Sequence, residues 1–259
     1  MEDPAAPVPT RASTTRDLAD EALPTGITKT QMVRAMFDAI APRYDLCNRV
    51  MTLGMDQGWR RQAIGMLELA PGSTVLDLGC GTADLVAMLQ GSEYRALGAD
   101  LSFGMLSSAH RGRGVLVQAD GLHLPFAEGS IDGLVSGFAV RNFTDLGAVL
   151  TEAARVLRRG GRISLLEVDT PSSPLLQLGH KIWFEHVVPR IGAALSDAAA
   201  YRYLPRSVAY LPSIKELRSM LHEAGFEQVE RRQLSGGIVQ IVTATCRRPM
   251  MGIGAPAPN

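Results

Sequence analysis

Cysteine is scarce in this chain. Cys47, Cys80 and Cys246 are three among 259 residues, odd in number and far apart. They form no Cys-x-x-Cys pair and no His/Cys cluster, which argues against a disulfide framework and against a zinc site, so no metal is expected. Lysine is almost as rare: only Lys29, Lys181 and Lys215 occur, and arginine carries nearly all the positive charge. Net charge is missing too. Lys+Arg and Asp+Glu both total 26, whereas a dedicated nucleic-acid binder usually shows a basic excess. No apolar run approaches the roughly 20 residues of a membrane-spanning helix. The opening stretch, MEDPAAPVPTRASTTRDLADEALPTG, has no apolar core behind a basic start and does not read as a signal peptide. The expectation is a cytoplasmic protein.

What is present is ordinary globular composition, 46% hydrophobic and 20% charged, in a chain of one-domain length. Residues 1–28 are rich in Pro, Ala, Thr and Asp and are expected to be a disordered tail, as are residues 249–259. The foldable part is 29–248. Met32, Met36, Phe37 and Ile40 recur at helical spacing from Gln31 onward, and Pro42 should break that helix before a second one after Tyr44. A helix from Trp59 to Leu69 follows. The texture then changes to STVLDLG (73–79), RALGAD (95–100), GVLVQAD (114–120), IDGLVSGFAV (131–140) and RISLLEVD (162–169), five short strands separated by helical stretches. Ser102, and Thr144 with Asp145, are placed to cap two of those helices. This alternation predicts an α/β fold with a parallel sheet covered on both faces. Residues 170–212, with five prolines, read as an inserted cap. A helix over Ile214–Ala224 and two alternating runs around Ser-Gly-Gly predict a closing antiparallel hairpin.

The segment VLDLGCGTADL (75–85) carries the strongest local signal. Ligands of open α/β sheets bind beyond the carboxyl ends of the strands. Gly79 and Gly81 sit where the first strand turns into its helix and allow close backbone approach. A dinucleotide site would need a third glycine where Asp84 stands, because pyrophosphate rests on the helix N-terminus. A carboxylate there repels phosphates, though it can cap the helix. With Asp77 before the first glycine, the setting suits a ligand with a positive centre and no phosphates, such as S-adenosylmethionine. Asp100 ends the second strand, placed for ribose hydroxyls, with Leu101 and Met105 against the adenine. Asp120 ends the third, placed for the adenine amino group, and Gly121 leaves room for the ring. Gly137 and Phe138 end the fourth beside the methionine side.

On these residues the chain resembles the class I S-adenosylmethionine-dependent methyltransferases over about 70–246. That resemblance implies a Rossmann-like, seven-stranded, mainly parallel sheet with one antiparallel strand. It places Asp77, Gly79, Gly81, Thr82, Asp100, Asp120, Gly121 and Gly137 on the cofactor. YDLCNRVMTLGMDQGW (44–59) is similar to the first signature of the ubiquinone/menaquinone biosynthesis C-methyltransferase family. It keeps Tyr44, Asp45, Asn48 and Trp59, with Cys47 for Met, Thr52 for Ser and Asp56 for His. RVLRRGGRISLLEVD (155–169) is similar to the second. Arg155, Val156, Gly160, Gly161 and Glu167 match, while Arg158, Arg159 and Asp169 replace Lys, Pro and Ser. FAVRNFTD (138–145) is similar to the family's Arg-Asn element, and YRYLPRSVAYLPSIKELRSMLHEAGF and SGGIVQI to its C-terminal part.

The resemblance implies methylation of a ring carbon of a polyprenylated hydroquinone or naphthoquinol. Arg141 would stabilise the developing phenolate and Asn142 would orient a ring oxygen. The alternative for Arg141 is a loop-holding ion pair. Tyr44, with Asp45, would close over the cofactor, or simply pack its helix. Asp56 would act as base, or be a surface loop acid. Tyr201 and Tyr203 in the cap would meet the ring, and Leu175, Leu176, Ile182, Trp183 and Phe184 a lipid tail. A prenylated acceptor invites peripheral contact with a membrane; a homodimer stays open. The altered positions Cys47, Asp56 and Asp169 keep a second reading, a methyltransferase for carbon or oxygen of an aromatic secondary metabolite. A cofactor-binding scaffold without catalysis is a third. A nucleic-acid methyltransferase is disfavoured, since no Asn/Asp-Pro-Pro-Tyr/Phe motif follows the fourth strand.

Overall fold

The computed structural model describes residues 25–109, 112, 114–171, 173–183, 187, 190, 203 and 206–247. Helix α1 (Gly26–Ile40) starts three residues inside the expected tail, and Val33, Met36 and Ile40 give it a buried stripe. Pro42 ends it, as expected: a 3-10 turn (Ala41–Arg43) hands over to α2 (Tyr44–Met51). Helix α3 (Met55–Gly65) starts four residues before Trp59, because Gly54 in a left-handed conformation re-aims the chain there.

Strand β1 (Thr74–Leu78) leads through the glycine turn into α4 (Asp84–Gly91). Strand β2 (Arg95–Asp100) is followed by α5 (Phe103–Ser108), capped by Ser102, whose hydroxyl accepts from the Met105 N–H. Then come β3 (Val115–Gln118), β4 (Ile131–Gly137), the 3-10 turn Val140–Asn142 and α6 (Leu146–Val156), capped by Asp145. Strand β5 (Leu157–Val168) begins earlier than the sequence suggests. Leu157 already pairs with Ile131, and four residues bulge out before Arg162 pairs with Gly133. Helix α7 (Pro174–Ile182) lies in the expected cap. Helix α8 (Ile214–Glu223), with a Ser213/Glu216 capping box, precedes β6 (Phe226–Leu234) and β7 (Val239–Cys246).

The seven strands run β3-β2-β1-β4-β5-β7-β6. All pair in parallel except β7, which is antiparallel to both β5 and β6. Two cores sandwich the sheet. Leu76, Leu134, Leu150, Ile163 and Phe226 lie on the face of α6 and α8. Val75, Leu85, Val86, Leu89 and Leu166 lie on the face of α3 and α4. Each such side chain contributes roughly 1.5–3 kcal/mol by leaving water. This explains the nearly unbroken apolar strands. The strand order reverses between β1 and β4, so their carboxyl ends open a crevice. Helices α1 and α2 pack over it around Val33, Met36, Ile40, Cys47 and Met51.

Candidate active site

The crevice holds a cleft of about 860 Å³, its open mouth included, lined by residues of β1, β2, β4 and the loop after β3. Gly79 has φ +72° and Gly81 φ +55°, and a Cβ on Gly79 would stand 2.6 Å from that of Ala139. Only glycine lets the chain turn this tightly against the β4 loop. Asp100 holds the turn: its carboxylate accepts from the Gly81 N–H and the Ser102 N–H, both at 2.8 Å. Burial pushes its pKa up against the pull of those N–H groups. Leu101, Met105, Ala119, Gly121 and Phe143 add apolar wall, and Asp120 stands beside them, steadied by the Leu122 N–H at 3.0 Å.

Asp77 lies within β1 beside this floor. It is 1% exposed, and neither carboxylate oxygen has a hydrogen-bond partner. Burial pushes its pKa up to about 8, against the pull of Arg60. An orphaned carboxylate beside a glycine-lined cleft fits a ligand carrying positive charge. Asn142 also faces this cleft, with its Oδ1 buried and unpartnered. It lines this cleft and not the neighbouring cavity that Arg141 lines. Thr82 does not line the cleft; its hydroxyl donates to Asp45 and ties the glycine turn to α2. Asp84 does not cap α4. The N-cap is Ala83, at φ 67°, and Asp84 pairs with Arg49 at 3.4 Å.

A second cavity, about 1340 Å³ with its mouth, adjoins the first, and Tyr44, Phe138 line both. Phe138 has φ 60°, rare for a bulky residue, and this turns its ring into the partition. Tyr44 is hydrogen-bonded to Asn48, and burial raises its pKa. The outer wall is apolar, with Leu53, Met55, Leu175, Leu176 and Trp183; Leu175 is 78% and Leu53 72% exposed, which marks the mouth. The polar lining consists of Asn48, Thr52, Asp56, Arg60 and Arg141.

Asp56 is not a surface acid. It is 2% exposed in the first turn of α3, accepts from the Thr52 hydroxyl at 2.9 Å and Gln57 Nε2 at 3.0 Å, and faces Arg60 at 3.7 Å. Arg141 is buried and pairs with Glu167, while its Nε donates to the Ser207 hydroxyl at 3.1 Å. The loop-holding ion pair considered for Arg141 is thus present, and the signature residue Glu167 is its counterion. Tyr203 lines neither cavity but packs with Val33 and Met36 under α1. Tyr201 and Phe184 lie outside the described residues.

Three site residues escaped the sequence reading. Lys29 donates to the backbone carbonyls of Arg141 and Phe143 at 3.0 and 2.8 Å and sits 3.7 Å over the Tyr210 ring. Burial pushes its pKa down to about 8. Asp38 accepts from the Ser102 hydroxyl at 2.5 Å and the Gly104 N–H at 2.8 Å, tying α1 to the loop after β2. Arg60 lies 5.7 Å over the Phe138 ring. None belongs to a local motif; the Lys29 and Asp38 contacts span 64 residues or more.

Residues 25–246 match the ubiE/COQ5 methyltransferase family. The ubiquinone/menaquinone biosynthesis C-methyltransferase UbiE of Syntrophotalea carbinolica is 41% identical over 225 residues, covering 84% of this chain and 94% of that protein. The demethylmenaquinone methyltransferase of Mycobacterium marinum is 40% identical over 210 residues, covering 81% and 91%. Among solved structures, a Thermotoga maritima S-adenosylmethionine-dependent methyltransferase, described as a possible histamine N-methyltransferase, aligns with TM-score 0.59 at 20% identity over 82% of this chain and 98% of that one. The [4+2]-cyclase SpnF aligns with TM-score 0.61 at 15% identity over 89% and 99%, a likeness of fold. The glycine turn, the acidic strand ends and this near full-length match agree: the chain belongs to the ubiE/COQ5 methyltransferase family and is an S-adenosylmethionine-dependent methyltransferase.

Proposed function

We propose that the protein methylates a ring carbon of a quinol-like aromatic bearing a long apolar tail, demethylmenaquinol or a related prenylated hydroquinone of ubiquinone biosynthesis. The observation that carries this is the pair of cavities meeting at Tyr44 and Phe138, one acidic and glycine-lined, the other apolar with a few polar groups. Gly79, Gly81, Asp100, Leu101, Met105, Asp120, Gly121, Gly137 and Asn142 would hold the cofactor, with Asp77 beneath. When bound, S-adenosylmethionine supplies an electrophilic methyl group, its C–S bond breaking as the bond to the ring carbon forms and sulfur keeping the electron pair.

This chain's residues must make that ring carbon nucleophilic. A phenol titrates near pH 10 in water. Asp56, steadied by Thr52 and Gln57, takes the hydroxyl proton. The ring proton displaced by methylation leaves to solvent, and Asp56 returns its proton to the oxygen. The walls exclude water and align the reactants, which contributes up to roughly 7–11 kcal/mol in ideal cases. The exposed leucines at the mouth would meet a membrane surface from which a prenylated acceptor is drawn. No helix of the described residues is long and apolar enough to cross a membrane.

The altered signature positions favour this reading over a secondary-metabolite acceptor. Cys47 is fully buried among core residues, Arg158 pairs with Asp132, and Asp169 binds Arg231 and Gln233. Of the altered positions, only Thr52 and Asp56 line the second cavity, and they are bonded to each other. The test is product analysis. Protein with methyl-labelled cofactor and a panel of reduced quinones and simple phenols should label a ring carbon of the prenylated quinols. Labelling of phenols alone would overturn the acceptor assignment.

A further inference from the structure

Two guanidinium groups line the acceptor cavity, and they differ in what occupies them. Arg141 is committed to Glu167 and to the Ser207 hydroxyl. Arg60 is just as buried, yet its one ion pair among the described residues runs from Nε to Asp56 at 3.7 Å, longer than a hydrogen bond, so that Nε has no hydrogen-bond partner, and its terminal nitrogens make no hydrogen bond to the described residues. Asp56 does not draw it closer, because Thr52 and Gln57 already bind that carboxylate. Arg60 also stands at the junction of the cavities, over the ring of Phe138, which lines both. A buried cation with unfilled donors is unfavourable unless an anion completes it. The anion that forms in this cavity is the deprotonated acceptor.

We propose that Arg60 is the catalytic residue that binds the acceptor's ring oxygen and stabilises it as phenolate, with Arg141 as a positioning residue of the wall. This rests on the methyl-transfer reading above. The hydroxyl proton passes to Asp56, and the oxygen, now anionic, takes the terminal N–H donors of Arg60. Its electron pair feeds the ring carbon that forms the bond to methyl, and once Asp56 returns the proton the neutral oxygen no longer pairs with Arg60, which favours product release.

The test uses the full chain with a prenylated quinol and S-adenosylmethionine. Arg60→Ala should lose about 10²–10³ in kcat, the size expected for removing one oxyanion donor, while cofactor affinity by calorimetry changes far less. Millimolar guanidinium should restore part of the rate, and Arg60→Lys should retain more activity than Arg60→Ala. A merely structural role would show no guanidinium rescue. Should Arg60→Ala fail to fold, the wild-type protein still decides. With S-adenosylhomocysteine bound, 4-methoxy-1-naphthol in the cavity should titrate at least about one unit below its value in water, seen by absorbance. No depression overturns the proposal. So does a folded Arg60→Ala with kcat within threefold of wild type, or one whose kcat loss guanidinium does not relieve. In those cases wild-type turnover still stands and only Arg60 is reassigned. Wild-type protein that methylates no quinol overturns the functional reading and this one with it.

Discussion

Replacing Asp77 by Asn should make the unliganded protein more stable at alkaline pH while weakening cofactor binding. The carboxylate is buried without a hydrogen bond, and burial lifts its pKa from the usual 3.8 to about 8 in the folded state. Between those values the native protein holds a proton that the unfolded chain has released. Folding stability therefore falls as pH rises from about 4 to 8 and levels off above. At 1.36 kcal/mol per unit, the full shift amounts to about 6 kcal/mol. Asn keeps the shape and removes the titration, so the two proteins should match near pH 4 and diverge above it. In a domain of this size each kcal/mol moves Tm by about 2–4 °C, so the gap near pH 9 should approach 10 °C or more. Thermal melts from pH 5 to 9, with and without S-adenosylmethionine, read this directly. The cofactor's positive charge should flatten the wild-type slope and leave that of Asp77→Asn unchanged. Parallel slopes in the two unliganded proteins, or a less stable Asp77→Asn at pH 9, would refute the reasoning.

Other outcomes follow from the same contacts. Gly79→Ala places a Cβ 2.6 Å from that of Ala139 at φ +72°. It should destabilise by about 2–4 kcal/mol and weaken cofactor binding, checked by denaturant titration and calorimetry. Lys29→Met leaves the Arg141 and Phe143 carbonyls without their donor. It should lower stability by about 1–3 kcal/mol and raise KM for the cofactor, because the tie from α1 to the Arg141–Phe143 turn is lost. Thr52→Val removes a donor to Asp56 and should lower kcat about tenfold at unchanged cofactor affinity, measured in single-turnover assays.

Much of the glycine-lined cleft was legible locally. Gly79, Gly81, Asp100 and Asp120 occupy strand ends, and strand ends are visible in the apolar runs that precede them. The second cavity was not, because its residues come together only across the fold. Arg141 lies in the Arg-Asn element, but its partner Glu167 is 26 residues away. Tyr203 looked aromatic and available, yet it is buried under α1. Asn142 follows Arg141 in the chain, but the 3-10 turn sends the two side chains into different cavities.

The amino-acid sequence by itself determined the α/β class, the glycine turn and its acidic companions, because these depend on short-range periodicity and on backbone conformations open to few residue types. The scarcity of cysteine, lysine and net charge narrowed the classes without locating anything. Only the tertiary structure decided which charges are spent and which are open. Asp77 is orphaned, Arg141 is neutralised and Arg60 is unfilled because of what packs against them from distant segments, and partner and solvent exposure are not properties of a residue's own neighbours in the chain.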